Sequence, residues 1–409
     1  MSKIIWPVKP LVSLTSRIGD GIHGTPKYTG GQGYPFINGN NLSSGSIVIT
    51  DSTKNVSREE YEKYFIDFDA NTLFLSINGT LGNVAIYKGE KIILGKSAAY
   101  IKCVDINVSY LYYYLQLEEV QTQLWNIATG STIKNLSLAS IRSLEVPTPP
   151  TNISINIANV LSTLDKKIEL NNQINAELEA MAKTLYDYWF VQFDFPNADG
   201  KPYKSSGGKM VYNEVLKREI PEGWQQATLW DIAKYYNGLA MQKYRPTGDE
   251  YLPVIKIREM NNGISPDTEK ARIDIPSAAI IDDGDLLFSW SATLDVKIWS
   301  QGKGALNQHI FKVTSDDYPQ SFYYFELMNY LSHFKMMAEM RKTTMGHITL
   351  EHLKQANIVL PPINLIKKLD EKLKPIFEHS LVLKKENNSL VELRDWLLPM
   401  LMNGQMTVK

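Results

Sequence analysis

From residue 153 to 195 the chain runs about forty residues without Gly or Pro, with Pro149 and Pro150 ahead of it and Pro196 behind. Within this stretch Ile157, Leu161, Leu164, Ile168, Asn171, Asn175, Leu178, Ala182, Leu185 and Trp189 step alternately by four and three. That is the seam of a coiled-coil helix. Off the seam stand charged and amide residues such as Asp165, Lys166, Lys167, Glu169, Asn172, Gln173, Glu177 and Lys183. At about 1.5 Å per residue the helix is roughly 55–60 Å long, more than one small domain can pack. The pattern predicts a spacer or a helix with a partner.

The partner lies in the same chain. Ile366, Leu369, Leu373, Ile376, Ser380, Leu383, Asn387, Leu390, Arg394, Leu397 and Leu401 form a second seam in the same register, 212 residues after the first. Pro361 and Pro362 precede it at the same offset from Pro149 and Pro150. The chain is therefore an internal repeat. If the helices pair antiparallel, the repeat becomes a pseudo-two-fold axis, with a head at each end. Asn175 and Asn387 then lie near that axis, where buried amides cost stability but hold register. Pro375 falls inside the second helix and predicts a start or a kink there.

The remaining chain divides into two β-rich stretches, 1–150 and 220–362, each followed by its long helix (151–196 and 363–409). In the first, short apolar runs (46–50, 73–77, 84–87, 92–94, 100–104) alternate with glycine turns at Gly79, Gly82, Gly89 and Gly95. These read as strands. One helix is expected from Ser109 to Ile127, where Tyr110, Tyr113, Tyr114, Leu117, Val120 and Leu124 keep helical spacing. The second stretch repeats this order. Trp224, Leu229 and Ile232 match Trp6, Leu11 and Leu14, PVIKIREMNN (253–262) matches PFINGNN (35–41), and LLFSWSATL (286–294) matches LFLSINGTL (73–81). A helix around Phe322–Met340 echoes the Tyr-rich one. Between the halves, 197–219 reads as a polar Gly/Ser/Lys-rich connector. The expected class is α+β: two β-rich domains in tandem pseudo-repeat, separated by two long antiparallel coiled-coil helices, each helix closing its own half.

Composition changes this picture little. Over 409 residues, Lys plus Arg (43) balance Asp plus Glu (44), so a nucleic-acid site has to rest on local clustering. The single cysteine, Cys103, excludes an internal disulfide framework, and the absence of a long apolar run or signal-like N-terminus points to a cytoplasmic protein. Catalytic motifs are missing. Five residues, not four, separate Gly89 from Gly95–Lys96–Ser97, so this is a hairpin turn and not a phosphate loop. The Asn/Asp-Pro-Pro-aromatic loop of amino-methyltransferases is absent, because both double prolines are followed by Thr or Ile. Six scattered histidines, without a HExxH spacing, make no metal site. His309 and His347 read as structural histidines.

Two heads on an antiparallel stalk suit a long, approximately two-fold ligand, and duplex DNA with two half-sites fits best. Base edges and phosphates are reached by amides, hydroxyls and cations on glycine-bounded loops. In the first head these are His23, Thr25, Lys27 and Tyr28; Ser76, Asn78 and Thr80; and Ser131, Thr132 and Lys134. In the second they are Gln242, Lys243, Tyr244 and Arg245; Lys256 and Arg258; Ser289, Trp290 and Ser291; and Arg341, Lys342, Thr343, Thr344 and His347. The alternative from another class is a two-headed scaffold whose β-rich domains bind peptides or glycans.

Several segments carry a resemblance. LYDYWFVQFDFP (185–196), DGKPYKSSGGKMV (199–211) and IPEGW (220–224) resemble the central region of the specificity (S) subunits of type I restriction–modification systems. GIHGTPKY (21–28) with GYPFINGNNL (33–42), and LLFSWSATL, GALNQHIFKV (304–313) and TTMGHITLEHL (343–353), resemble openings and pieces of that family's target-recognition domains. The resemblance spans essentially the whole chain. It implies a non-catalytic subunit whose two target-recognition domains read a bipartite DNA target, with helix length setting the spacer. It further implies two methyltransferase (M) subunits docked on the helices, at the seam positions Leu164, Ile168, Asn175, Leu178, Leu185, Trp189, Ile376, Leu383, Asn387, Leu390 and Leu397. S-adenosylmethionine is expected on the M subunits, and ATP and Mg on added restriction (R) motor–nuclease subunits. No cofactor, metal or membrane is expected for this chain itself.

Overall fold

The computed structural model describes residues 6–340 and 347–408. The chain folds as two compact units, Met1–Lys167 with Leu390–Lys409, and Ile168–Ser389. The long helices are Thr151–Tyr186 and Ile363–Met402. Each unit takes part of both, so neither helix closes only its own half. The reason is burial. The first unit's core needs Ile157 and Leu161 from one helix together with Leu401 and Met402 from the other. The second unit's core uses Ala182 and Tyr186 with Ile366, Leu369 and Leu373. A fully buried Leu or Ile contributes about 1.5–3 kcal/mol, so such a handful anchors each head firmly.

In the first unit a four-stranded antiparallel sheet runs Thr15–Asp20, Ala98–Cys103, Thr72–Ser76, Val84–Ile86. Alternate residues go to opposite sides. Leu73, Leu75, Ala99 and Ile101 meet the helices, whereas Phe74, Ala98 and Tyr100 meet Ile37, Leu42 and Leu94. Both faces are covered, which explains why these strands read as continuous apolar runs. Behind them Tyr34–Ile37 pairs in parallel with Ile93–Leu94. The Tyr-rich segment is two helices, Val108–Leu115 and Glu118–Ile127, not one. Leu117 leaves the helical region with ψ 134, and the Gln121 amide caps the freed Leu115 carbonyl at 2.5 Å. Asp165 accepts hydrogen bonds from Tyr113 at 2.6 Å and from Arg394 at 3.0 Å, joining head and helix pair.

The second unit repeats the topology. Its antiparallel sheet runs Lys234–Asn237, Ile310–Thr314, Leu286–Ser289, Asp295–Ile298, and Leu252–Ile255 pairs in parallel with Gly304–Leu306. Gln225–Thr228 pairs with Asn357–Leu360, as Val8–Pro10 pairs with Glu145–Pro147 in the first unit. The helix opposite the split pair, Gln320–Met340, is continuous.

Three further expectations change. The long helix does not continue to residue 195. It ends in a π-turn, Asp187–Val191, and Phe193 adopts φ 67. Phe190, Phe193 and Phe195 instead gather around Trp224, at ring distances of 5.8, 5.4 and 5.1 Å. The segment 197–219 is folded and not a loose connector. Tyr203 stacks on Phe195 at 4.6 Å, Ser205 Oγ donates to Asp194 at 2.6 Å, and Met210–Asn213 forms a hairpin with Arg218–Pro221. Pro375 does not start the second helix, which begins at Ile363 and continues through it. Pro375 and Glu371 are both exposed, so the carbonyl that loses its donor faces water.

Between the helices of the second unit, Asn171 Nδ2 donates to Asn387 Oδ1 at 2.9 Å and to Glu386 at 2.7 Å, and Asn387 Nδ2 donates to Asn172 at 2.8 Å. The amide pair is therefore Asn171–Asn387. Asn175, which the repeat made the counterpart of Asn387, is buried without a partner for its Oδ1. Repeat-equivalent residues share a register position, and in an antiparallel pair they do not have to touch. The seam residues Leu164, Ile168, Leu178, Leu185, Ile376, Leu390 and Leu397 are half-buried, whereas Trp189 and Leu383 are buried.

Where the helix meets the second head, the Tyr186 hydroxyl donates to Glu326 Oε1 at 2.5 Å. Burial pushes the Glu326 carboxyl up to about 7, against the Tyr186 hydrogen bond and the charge of Arg218. The folded chain thus holds this proton more tightly than the unfolded chain. Stability falls as pH rises from about 4.5 to about 7 and stays lower above. Glu326→Gln is expected to stabilise the protein by about 1–2 kcal/mol at pH 8 and by little at pH 4.5. Thermal midpoints of wild type and variant at both pH values check this, and an equal shift at both would contradict it.

Candidate nucleic-acid interface

In the first head, backbone contacts draw separate loops to one rim. Ile22 N donates to Leu94 O at 2.8 Å, Ile77 N to Ser97 O at 2.9 Å and Leu136 N to Ile77 O at 2.9 Å. Ser97 Oγ accepts from Gly39 N and donates to Asn38 Oδ1, both at 2.9 Å. Asn78 bridges to Asn135, whose Oδ1 its amide approaches at 3.4 Å. The start of 21–28 is thereby joined to 38–39, 76–80, 95–97 and 129–135.

On this rim His23, Thr25, Thr80, Ser131 and Thr132 are exposed and Asn78 is half-buried. His23 Nε2 lies 2.9 Å from Asp20. Lys134 is half-buried, with its ammonium 3.4 Å from Ala128 O and 5.6 Å from the Trp125 ring centre. Ser76 is fully buried and bonded to Thr80 at 3.1 Å, so it shapes the turn. Lys27 and Tyr28 are exposed but belong to a neighbouring edge. Lys27 N donates to Glu60 at 3.2 Å, and Lys54 lies 4.5 Å over the Tyr28 ring.

The second head builds the same rim. Leu239 N donates to Leu306 O at 2.9 Å, Gln308 N to Leu239 O at 3.0 Å and Ile348 N to Trp290 O at 2.9 Å. Ser291 bridges to His347, 213 and 212 residues after Asn78 and Asn135, which form the first head's bridge. Trp290 stands at its centre. Its indole N–H donates to Asn237 Oδ1 at 2.9 Å, and the rings of His309 and His347 lie 5.5 and 5.8 Å away. Fixed by three neighbours, this indole is a rigid, partly exposed aromatic surface.

Other candidates are less available. Ser289 is fully buried; its hydroxyl donates to Thr293 O at 2.6 Å and accepts from Asp295 N at 2.8 Å. Ser291 is also buried. Lys256 pairs with Glu269, whose carboxyl it holds below the usual range. Arg258 pairs with Glu259 and Asp267, both at 2.7 Å. Those two cations are already neutralised locally. Gln242, Lys243 and Arg245 are exposed, and Tyr244 lies half-buried against Arg272 at 5.3 Å. Arg341, Lys342, Thr343 and Thr344 lie outside the described residues.

The geometry adds residues that the loop-by-loop reading passed over: Asn38, Ser97 and Asn135 in the first head, Asn237, Gln308 and His309 in the second. A signal was present, since Gly95–Lys96–Ser97 and Asn307–Gln308–His309 stand at the repeat offset of 212. The two triplets share no residue type, so composition alone does not link them.

Two heads of one topology, each with a rim of amides, hydroxyls and cations and each anchored on a pair of antiparallel helices, define a two-headed recognition protein. Among the described residues no helix is long and apolar enough to cross a membrane. The model of the type I restriction modification DNA specificity domain (Methylase_S) matches residues 23–180 and 221–393, and the chain belongs to that family. It is a specificity subunit for DNA sequence and not itself an enzyme. The MjaIX specificity subunit of Methanocaldococcus jannaschii is 25% identical over 420 residues, 99% of this chain and 94% of that protein. The HindI specificity subunit of Haemophilus influenzae is 25% identical over 331 residues, 68% of this chain and 72% of its own length. The crystal structure of a type I S subunit from M. genitalium shares the fold with a TM-score of 0.60 at 16% identity, covering 97% of this chain and 96% of that one.

Proposed function

We propose that each head reads one half of a bipartite duplex sequence, while the paired helices set the spacer and dock two methyltransferase subunits in the cytoplasm. The observation that carries this reading is the repetition of the rim. The Ile22–Gly95 and Asn78–Asn135 bridges of the first head recur as Leu239–Asn307 and Ser291–His347 in the second. The side chains on the two rims differ, as two unlike half-sites require. S-adenosylmethionine and the N6-adenine chemistry then fall to the methyltransferase subunits, and ATP and Mg to motor–nuclease subunits.

Co-expression with the cognate methyltransferase, followed by mapping of methylated adenines, is expected to return one asymmetric bipartite motif. Absence of new methylation with the right partner overturns the proposal. Within that assay Lys27→Ala and Arg245→Ala are each expected to weaken recognition of one half-site or general affinity, by about 1–3 kcal/mol if the contact is to a base. Methylation rates unchanged in both variants would remove these two residues from the interface.

A further inference from the structure

The turn between the strands of the two sheets is pinned from both sides in each head. In the first head Gly95 N donates to Ile37 O at 2.8 Å and Ile77 N to Ser97 O at 2.9 Å. In the second, Asn307 N donates to Ile255 O at 3.1 Å, and Trp290 N to His309 O at 3.3 Å. A turn held on both flanks fixes the place of its middle residue. In one head this is Lys96, exposed and with no hydrogen bond or ion pair among the described residues. In the other it is Gln308, half-buried, its Nε2 3.4 Å from His309 Nε2.

We propose that residues 96 and 308 are the central base-reading positions of the two heads. This rests on the reading that the heads bind duplex DNA. Reading a base demands a side chain whose anchor is fixed to within about 0.5 Å, and a turn locked into two sheets supplies that. Of the other cations in this head, Lys54 lies over Tyr28 and the half-buried Lys134 over Trp125. Lys96 has no such ring contact among the described residues. The two positions also differ in the way two half-sites require. A lysine ammonium only donates and suits guanine, whose major-groove edge offers the O6 and N7 acceptors. A glutamine amide donates and accepts and suits the N6–H and N7 of adenine. The chemistry therefore assigns a guanine to the first head's half-site and an adenine to the second's.

The test uses the full chain assembled with its methyltransferase subunits and maps methylated adenines for Lys96→Ala and Gln308→Ala. Each variant should relax one position of one half-site, guanine for Lys96 and adenine for Gln308, leaving the other half-site intact. Methylation of the original sequence should slow by about five- to a hundredfold. Lys96→Arg, which keeps a donor for guanine, should retain the motif. Neither side chain fills a core, so thermal midpoints should stay at the wild-type value and separate lost reading from lost folding. An unchanged motif, a uniform slowing without relaxation, or relaxation at a different base overturns the assignment. If the wild-type complex itself yields no bipartite motif, the parent reading fails instead.

Discussion

One heptad inserted into each long helix, at facing points beside Asn172 and Asn387, should lengthen the recognised spacer by about three base pairs. Both half-sites should keep their sequence. Seven residues add about 10.5 Å of helix, and B-DNA rises about 3.4 Å per base pair. Seven residues also return the seam to the same face, so the helix pairing survives the insertion. The chosen points are the amide contact itself, where Asn387 Nδ2 meets Asn172 Oδ1 at 2.8 Å. Three base pairs also turn the duplex by about a third of a turn, since B-DNA repeats every 10–10.5. Taking up that angle costs a few kcal/mol of DNA deformation, so methylation at the new spacing should be slower than wild type. Adenine mapping of the variant complex decides the matter. An altered half-site, or the original spacing retained, would contradict the helix pair as a ruler. An insertion into one helix alone should abolish methylation, because its seam then runs about 10.5 Å past that of the unlengthened partner and the core residues at its ends no longer meet theirs.

Gly21→Ala and Gly238→Ala should each disorder the rim of one head and destabilise it by about 3–5 kcal/mol, the range of severe backbone conflicts. A Cβ on Gly21 would overlap the carbonyl oxygens of Leu94 and Gly95, and one on Gly238 those of Leu306 and Asn307. These are backbone atoms of the same turn, so no flexible side chain can give way. The bonds lost are Ile22 N to Leu94 O and Leu239 N to Leu306 O. Peptide-resolved hydrogen exchange checks this. Gly21→Ala should speed exchange in 15–22 and 93–103, and Gly238→Ala in 234–239 and 304–314, each leaving the other head protected. Native protection in both variants would show that the close approach is dispensable. In the assembled complex each variant should lose selectivity at one half-site only.

The sites show where a linear reading stops. Loops at 21–28, 76–80 and 129–135 were identifiable as polar, glycine-bounded segments. Whether a given polar side chain is free depends on which neighbours the folded loops bring against it, and spacing does not say. Ser289 is committed to Thr293 and Asp295, and Lys256 and Arg258 to Glu269 and Asp267. Gly95–Lys96–Ser97 has the composition of a phosphate loop but not its spacing, and only the bonds of its turn to Ile37 and Ile77 set Lys96 apart. Likewise the repeat placed Asn175 and Asn387 at equivalent positions, but antiparallel contact chose Asn171 for Asn387. Equivalence is a property of register, and contact depends on where the helices cross.

The tandem repeat, the two long seamed helices, the β-rich heads and the lack of catalytic motifs are all legible along the chain. All of these follow from local periodicity and spacing, which the chain carries residue by residue. Packing in three dimensions is what brings both helices into both cores, folds 197–219 into a hairpin, tolerates Pro375 and leaves some polar side chains free. Those outcomes depend on burial and hydrogen bonding between residues that spacing alone does not pair, whether nine apart, as Arg258 and Asp267, or over two hundred, as Asn171 and Asn387. A carbonyl facing water, an aromatic cluster closing on Trp224, or a cation meeting its acid has no signature in the stretch that bears it.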